Sequence, residues 1–173
     1  MRDRLAIGTN PAGSLPHLAA RLFVKLAGAP VIVALSTGGT NEAIREILGG
    51  RGHAVIEGLP GLKPYIDNGD LKALAIMTRE RVPSVPDLPT AMESIPDLAA
   101  IGWIGIFAPK GAPDAVVQQL AASIREAMDS PEVKSRFEQT GSPFHPLFTA
   151  EFARFIQSEQ RLWWPVVSDA GLK

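Results

Sequence analysis

Ser14, His17 and Glu57 offer a hydroxyl, an imidazole and a carboxylate near the start of the chain. Those are the group types of a nucleophile, a base and an orienting acid. They sit in or beside three short polar stretches that contain glycine: Gly8–Ser14 (GTNPAGS), Ser36–Asn41 (STGGTN) and Glu57–Pro60 (EGLP). The stretches carry the hydroxyls of Thr9, Ser14, Ser36, Thr37 and Thr40 and have little bulk at Ala12, Gly13 and Gly38. Two of them run into helices, whose first N–H groups have no partner inside the helix and attract anions. This composition suits capture of a small oxygen-rich anion by backbone donors and hydroxyls. Catalysis fits less well, because no G-x-S-x-G elbow, P-loop, H-E-x-x-H or complete G-x-G-x-x-G occurs.

Each polar group has more than one role open to it. His17 either donates to a bound carboxylate or is bonded to the loop backbone. Glu57 accepts an ammonium group, positions a neighbouring loop, or lies exposed. His53 and His145 lack a partner at metal-ligand spacing and there is no cysteine, so no metal site, disulfide or cofactor is expected.

The elements that must position these residues read as strands alternating with helices. Ala6-Ile7 leads into the first loop as the end of a strand. Ser14 is placed to cap a helix, and Pro16 is tolerated in its first turn. Leu15, Leu18, Leu22 and Leu26 repeat at helical spacing. A β-branched run over residues 31–35 predicts a strand buried on both faces. After it comes a helix with Ala43, Ile44, Ile47 and Leu48 inward, stopped by Gly49-Gly50. Ala54–Ile56, Leu71–Met77 and Ile101–Ala108 are further expected strands. The alternation predicts an α/β fold with a mostly parallel sheet, whose ligands bind beyond the carboxyl ends of strands.

Residues 82–96 contain Pro83, Pro86, Pro89 and Pro96, which exclude a central strand or a long helix. Thr90 and Glu93 have the spacing of a capping box. Helices are expected at about 114–129, after Ser130, and after Thr149 as a cap, with Pro165 kinking or ending the last one early. The 173 residues are 46% apolar and 20% charged with net charge −1. No strong field points to nucleic acid, and no apolar run has the length of a membrane span.

The residues resemble the Bug/TctC family of extracytoplasmic solute receptors, the periplasmic binding proteins of tripartite tricarboxylate transporters. His17-Leu18-Ala19 after the small-residue loop, Leu48-Gly49-Gly50, Leu59-Pro60, Gly69 and Leu71–Ala75 are similar to its motifs. So are the Arg81–Thr90 stretch, Trp103, Gly105, Phe107–Pro109, Gly111–Pro113, Ser130–Val133 and Asp169–Gly171. The likeness runs along nearly the whole chain. Two loops depart from the family pattern. Ser36-Thr37-Gly38 stands where Tyr-Lys-Gly is common, and Ile56-Glu57-Gly58 where Phe-Asp-Asn is common.

The resemblance implies a type II periplasmic-binding-protein-like fold, two lobes around a cleft, with the first lobe incomplete. Residues 1–82 would be the second lobe, 83–108 a proline-rich crossover and return strand, and 109–173 C-terminal helices belonging to the first lobe. The implied function is binding of a small carboxylate for membrane transporter subunits, in the periplasm, without catalysis; no signal peptide is seen in this chain. The expected ligand contacts are Thr9, Asn10, Ala12, Gly13, Ser14 and His17 from the first loop, Ser36, Thr37 and Gly38 from the second, and Glu57 from the third. The alternatives are a sensory or interaction module that keeps the fold, and a small serine hydrolase built on Ser14 and His17. Apolar faces on the C-terminal helices also lead us to expect self-association.

Overall fold

The structure, a computed structural model, describes residues 5–28, 32–36, 38–140, 142 and 144–172. The apolar runs become strands β1 (Leu5–Thr9), β2 (Ile32–Ser36) and β3 (Ala54–Val55). Residue 31, the expected start of β2, lies outside the described residues. The strands form one parallel sheet of order β2-β1-β3. Its register pairs Leu5 with Ile32 through Thr9 with Ser36, and Gly8 with Val55. The central strand β1 buries Ile7, Gly8 and Thr9 in succession, as a parallel strand covered on both faces must.

Helix α1 (Leu15–Ala27) buries Leu18, Ala19, Ala20 and Leu22. Helix α2 (Thr40–Leu48) buries Ala43 and Ile44. A Cβ at Gly8 would stand 3.5 Å from the Ala43 Cβ and the Ile47 Cδ1, so the bare backbone there lets α2 lie close on β1. Helix α3 (Leu59–Asp67) follows β3 after the short connection Ile56–Gly58. The α/β alternation and the parallel sheet flanked by helices are therefore present.

Two expected strands are not. Across Leu71–Met77 only one parallel bridge forms, between Ile76 and Thr90. The Ile76 N–H donates to the Pro89 carbonyl at 2.9 Å and the Ala91 N–H to the Ile76 carbonyl at 2.8 Å. The segment alongside holds Pro83, Pro86 and Pro89, which have no N–H to extend a ladder. Ile101–Ala108 has no ladder partner among the described residues, and Ile104 is 99% exposed. Strand composition describes a fit to a pleated surface; without a neighbouring strand it makes no sheet.

The chain forms two compact units. The first runs up to Gly102 and resumes at Trp163. Its apolar core gathers Leu18, Leu22, Ala91, Leu98 and Val166, with Phe23, Trp163 and Leu172 packed against it. The expected capping box forms at the short turn Ala91–Glu93: the Thr90 N–H donates to Glu93 Oε1 at 2.9 Å. Arg81 grips both oxygens of the same carboxylate, at 2.9 and 2.7 Å.

The second unit, Trp103–Leu162, holds α4 (Asp114–Asp129), α5 (Pro131–Thr140) and the start of α6 (Thr149–Asp169). None of its described residues is buried. Its order rests on half-covered aromatic contacts: Trp103 meets Phe152 and Phe155 edge-on, each at 5.7 Å between ring centres. Thr149 does not cap α6 from outside. It is the first helical residue, at φ 44°, and the Phe148 carbonyl takes the Glu151 and Phe152 N–H groups. Pro165 does not end α6 either. The helix continues to Asp169, because burial of Val166 among Leu18, Leu22 and Leu98 outweighs the missing N–H.

Candidate functional site

Register brings the polar loops together. Thr9 ends β1 opposite Ser36 at the end of β2, and the Ile56 N–H beyond β3 donates to the Gly8 carbonyl at 3.0 Å. The three stretches therefore leave the same edge of the sheet, with the β1 loop in the middle. Thr37, which was expected to contribute a hydroxyl, lies outside the described residues. Ser36 is placed by its backbone alone.

The first loop is held by its own side chains. Thr9 is fully buried, and its Oγ1 donates to the Asn10 carbonyl at 3.1 Å. The Ser14 N–H closes a turn onto the Pro11 carbonyl at 3.1 Å. Gly13 lies at φ 86°, a conformation that side chains resist. Ser14 Oγ caps α1 by accepting the His17 N–H at 3.4 Å. The Gly13 N–H donates to His17 Nδ1 at 3.2 Å. Of the two readings of His17, the observed contact is the bond to the loop backbone. Nδ1 serves the backbone, and the remaining ring proton belongs on Nε2 as a donor. Burial, and then the Arg21 charge, hold the imidazole pKa below its ordinary value, which keeps it neutral.

The second and third loops are tied to one another. Glu57 is half-buried. Its Oε2 accepts from Thr40 Oγ1 at 3.0 Å and its Oε1 from the Gly58 N–H at 2.8 Å. Of the roles open to Glu57, the observed contacts are those of a loop positioner. Thr40 is the first residue of α2, so this carboxylate fixes the start of α2 to the end of β3.

One participant was missed. Glu42, in the first turn of α2, accepts the Gly38 N–H on Oε2 at 2.9 Å. A glutamate at the third helical position is placed to reach back over the helix start, here to the N–H one residue before the N-cap Gly39. It alters the expected chemistry, because the Gly13 and Gly38 N–H groups are already satisfied by His17 and Glu42. Among the described residues, the groups at this edge still able to donate are the Thr40 and Asn41 N–H groups at the start of α2, the His17 Nε2–H and the Ser14 hydroxyl. Ala12 is exposed and offers only backbone.

The observed contacts give the hydrolase alternative no support. Ser14 Oγ meets the backbone of His17, the imidazole faces Gly13, and Glu57 is spent on Thr40 and Gly58. No hydrogen-bonded chain links hydroxyl, ring and carboxylate. Among the described residues no group of His, Asp and Glu is arranged to hold a metal, and no helix is long and apolar enough to cross a membrane.

Comparison with known proteins agrees with this geometry. A family model described as "Tripartite tricarboxylate transporter family receptor", TctC, matches residues 2–172. Protein BugT of Bordetella pertussis is 32% identical over 170 residues, covering 98% of this chain and 52% of that protein. The chain spans about half the length of the curated relatives it matches. A solved R. palustris protein with adipate superposes at TM-score 0.84 with 28% identity, over 98% of this chain and 57% of that one. MatC from Rhodopseudomonas palustris with bound malate superposes at 0.76 with 28% identity, over 94% and 56%.

Proposed function

The chain belongs to the tripartite tricarboxylate transporter receptor family, a family of solute receptors rather than enzymes, and on that premise we propose that it binds a small carboxylate for a membrane transporter of that type, in the periplasm. The observation that carries the proposal is the convergence of three donor-bearing loops at the carboxyl edge of one parallel sheet. Ligands of open α/β sheets are found at such an edge. The relatives solved with adipate and with malate support a small carboxylate as the ligand class.

In this reading the solute carboxylate sits between the first turns of α1 and α2. The contacting residues are Thr9, Asn10, Ser14 and His17 on one side and Ser36, Thr37 and the Thr40 and Asn41 N–H groups on the other, while Gly13 and Gly38, whose N–H groups are bonded to His17 and Glu42, contribute close approach through their lack of bulk. Ala12 contributes backbone, and Glu57 holds the third loop in place. The lobe assignment is part of the same proposal: residues 1–82 as second lobe, 83–108 as crossover, 109–173 as helices of the first lobe.

Calorimetric titration of the full chain with malate and with adipate tests it. Saturable binding of either one, weakened by Gly13→Ala, is the expected result. The substitution forces a Cβ onto a left-handed backbone and disturbs the bond to His17. Absence of binding by both acids at millimolar concentration overturns the reading.

A further inference from the structure

Helix α6 ends in a turn that delivers a side chain to the first polar loop. Gly171, just past the helix, takes φ 69°. Its N–H donates to the Ser168 carbonyl at 3.0 Å, and the Leu172 N–H donates back to the Val167 carbonyl at 3.2 Å. This pair of bonds is a Schellman motif, which folds the residue after the glycine back against its helix. Val167 and Leu172, the apolar pair of the motif, both pack against the core of Leu18, Leu22 and Val166. The same leucine reaches Gly13. A Cβ placed on Gly13 would stand 3.8 Å from Leu172 Cδ1, ordinary contact distance. Among the described residues, and the chain neighbours of Gly13 apart, nothing else comes within 4 Å of that point.

Gly13 needs such a hold. It is exposed, it has no side chain to anchor itself, and a glycine loses more conformational freedom than any other residue when it is fixed. Its N–H nevertheless has to stay aimed at His17 Nδ1, 3.2 Å away. A second tie keeps the end of α6 beside α1: Lys25 Nζ meets Asp169 Oδ2 at 2.7 Å. That ion pair is exposed and contributes little energy, so the apolar contact carries the burden. We propose that Leu172 is a positioning residue for the candidate site: the last turn of α6 holds Gly13, and through Gly13 the His17 imidazole, in place. The relevance of this hold to a solute rests on the carboxylate reading above; the hold itself does not. A change confined to the end of α6 then reaches the imidazole without altering any residue of the loop.

The test is hydrogen exchange and proton–nitrogen NMR on the full chain. Leu172→Ala is expected to speed exchange of the Gly13 amide about tenfold or more, as a local opening does. It should also draw the His17 ring away from the pure Nε2–H form, because Nδ1 loses the donor that fixes the tautomer. Ile95→Ala thins the same core from a residue that does not reach Gly13. It controls for lost stability and should leave both readings in place. Leu172→Met restores the apolar bulk and should restore both. Circular dichroism establishes that the three variants fold. A Gly13 amide and an imidazole unmoved by Leu172→Ala overturn the proposal. So does an equal change in Ile95→Ala. Malate titration of the parent chain and of Leu172→Ala separates the two readings. Several-fold weaker binding by the variant is expected, and an unchanged affinity in a loosened loop would deny Leu172 its part in the site. Absence of binding by the parent chain counts against the carboxylate reading alone and leaves the loop result standing.

Discussion

The Thr40 hydroxyl donates to the Glu57 carboxylate at 3.0 Å, and this one bond ties the start of α2 to the end of β3. The two residues come from different β-α units, so their contact sets the spacing of two of the polar loops. Close packing supports it: a Cβ at Gly61 would stand 3.3 Å from Thr40 Cγ2. Thr40→Val keeps the shape and removes the donor. It is expected to lower stability by about 1.5–3 kcal/mol, the range for a hydrogen bond to a charged group. Urea unfolding measures this, and an unchanged midpoint would show that the bond does not hold the loops.

Acid should weaken the proline-rich segment through Glu93. Arg81 first, and the Thr90 N–H second, hold its pKa down at about 2, against an ordinary 4.5. A depressed carboxylate stabilises the fold fully above the unfolded value and loses that contribution as pH falls toward the folded one. Glu93→Gln should therefore flatten the stability profile between about pH 4.5 and about 2, with little change in slope elsewhere. Unfolding curves across that window, parent against variant, check it.

The His17 ring should titrate below 6.5, its ordinary value, because burial and then Arg21 disfavour the cation. The sign follows from linkage: the unfolded chain takes the proton more readily. The contribution of His17 to stability is thus complete above pH 6.5 and fades as pH drops through the folded value. Arg21→Ala removes the lesser cause and should move the midpoint part of the way upward. Proton–nitrogen NMR of the ring follows both the midpoint and the proton on Nε2. A midpoint unmoved by the substitution would exclude the Arg21 charge as a cause.

The second unit should limit solubility. Ile104 is 99% exposed and Ile106 73%, on an extended segment with no ladder partner among the described residues. Such a segment recruits other chains. Ile104→Lys is expected to raise the concentration at which the protein stays unassociated, as light scattering would show. It should leave the unfolding midpoint where it is, since nothing covers the side chain that is lost.

What the residues revealed in advance depended on how local the cause is. The Ser14 cap and the Thr90–Glu93 box involve residues three apart, and both form as their spacing implies. The β1–α1–β2–α2 order is equally local in origin. The Glu42–Gly38 bond is just as local and could have been found from the same capping rule. The failures are tertiary. Leu71–Met77 and Ile101–Ala108 have strand composition, yet a strand is made by its neighbour. Pro165 should break a helix, but Val166 is packed into the core on the next position. The seating of Leu172 on Gly13 joins distant parts of the chain, which no spacing of residues announces.

The core contact between α1 and the last turn of α6 joins the two ends of the chain in time as well as in space. The polar loops lie between Thr9 and Gly58, so during N-to-C synthesis their strands are available long before α6 is made. Leu18 and Leu22, on the helix that carries Ser14 and His17, pack on Val166. That contact has a long loop to close and must come late. The wall of the candidate site that bears the imidazole thus completes its packing only once α6 is made, while its local bonds to Gly13 and Ser14 can form earlier.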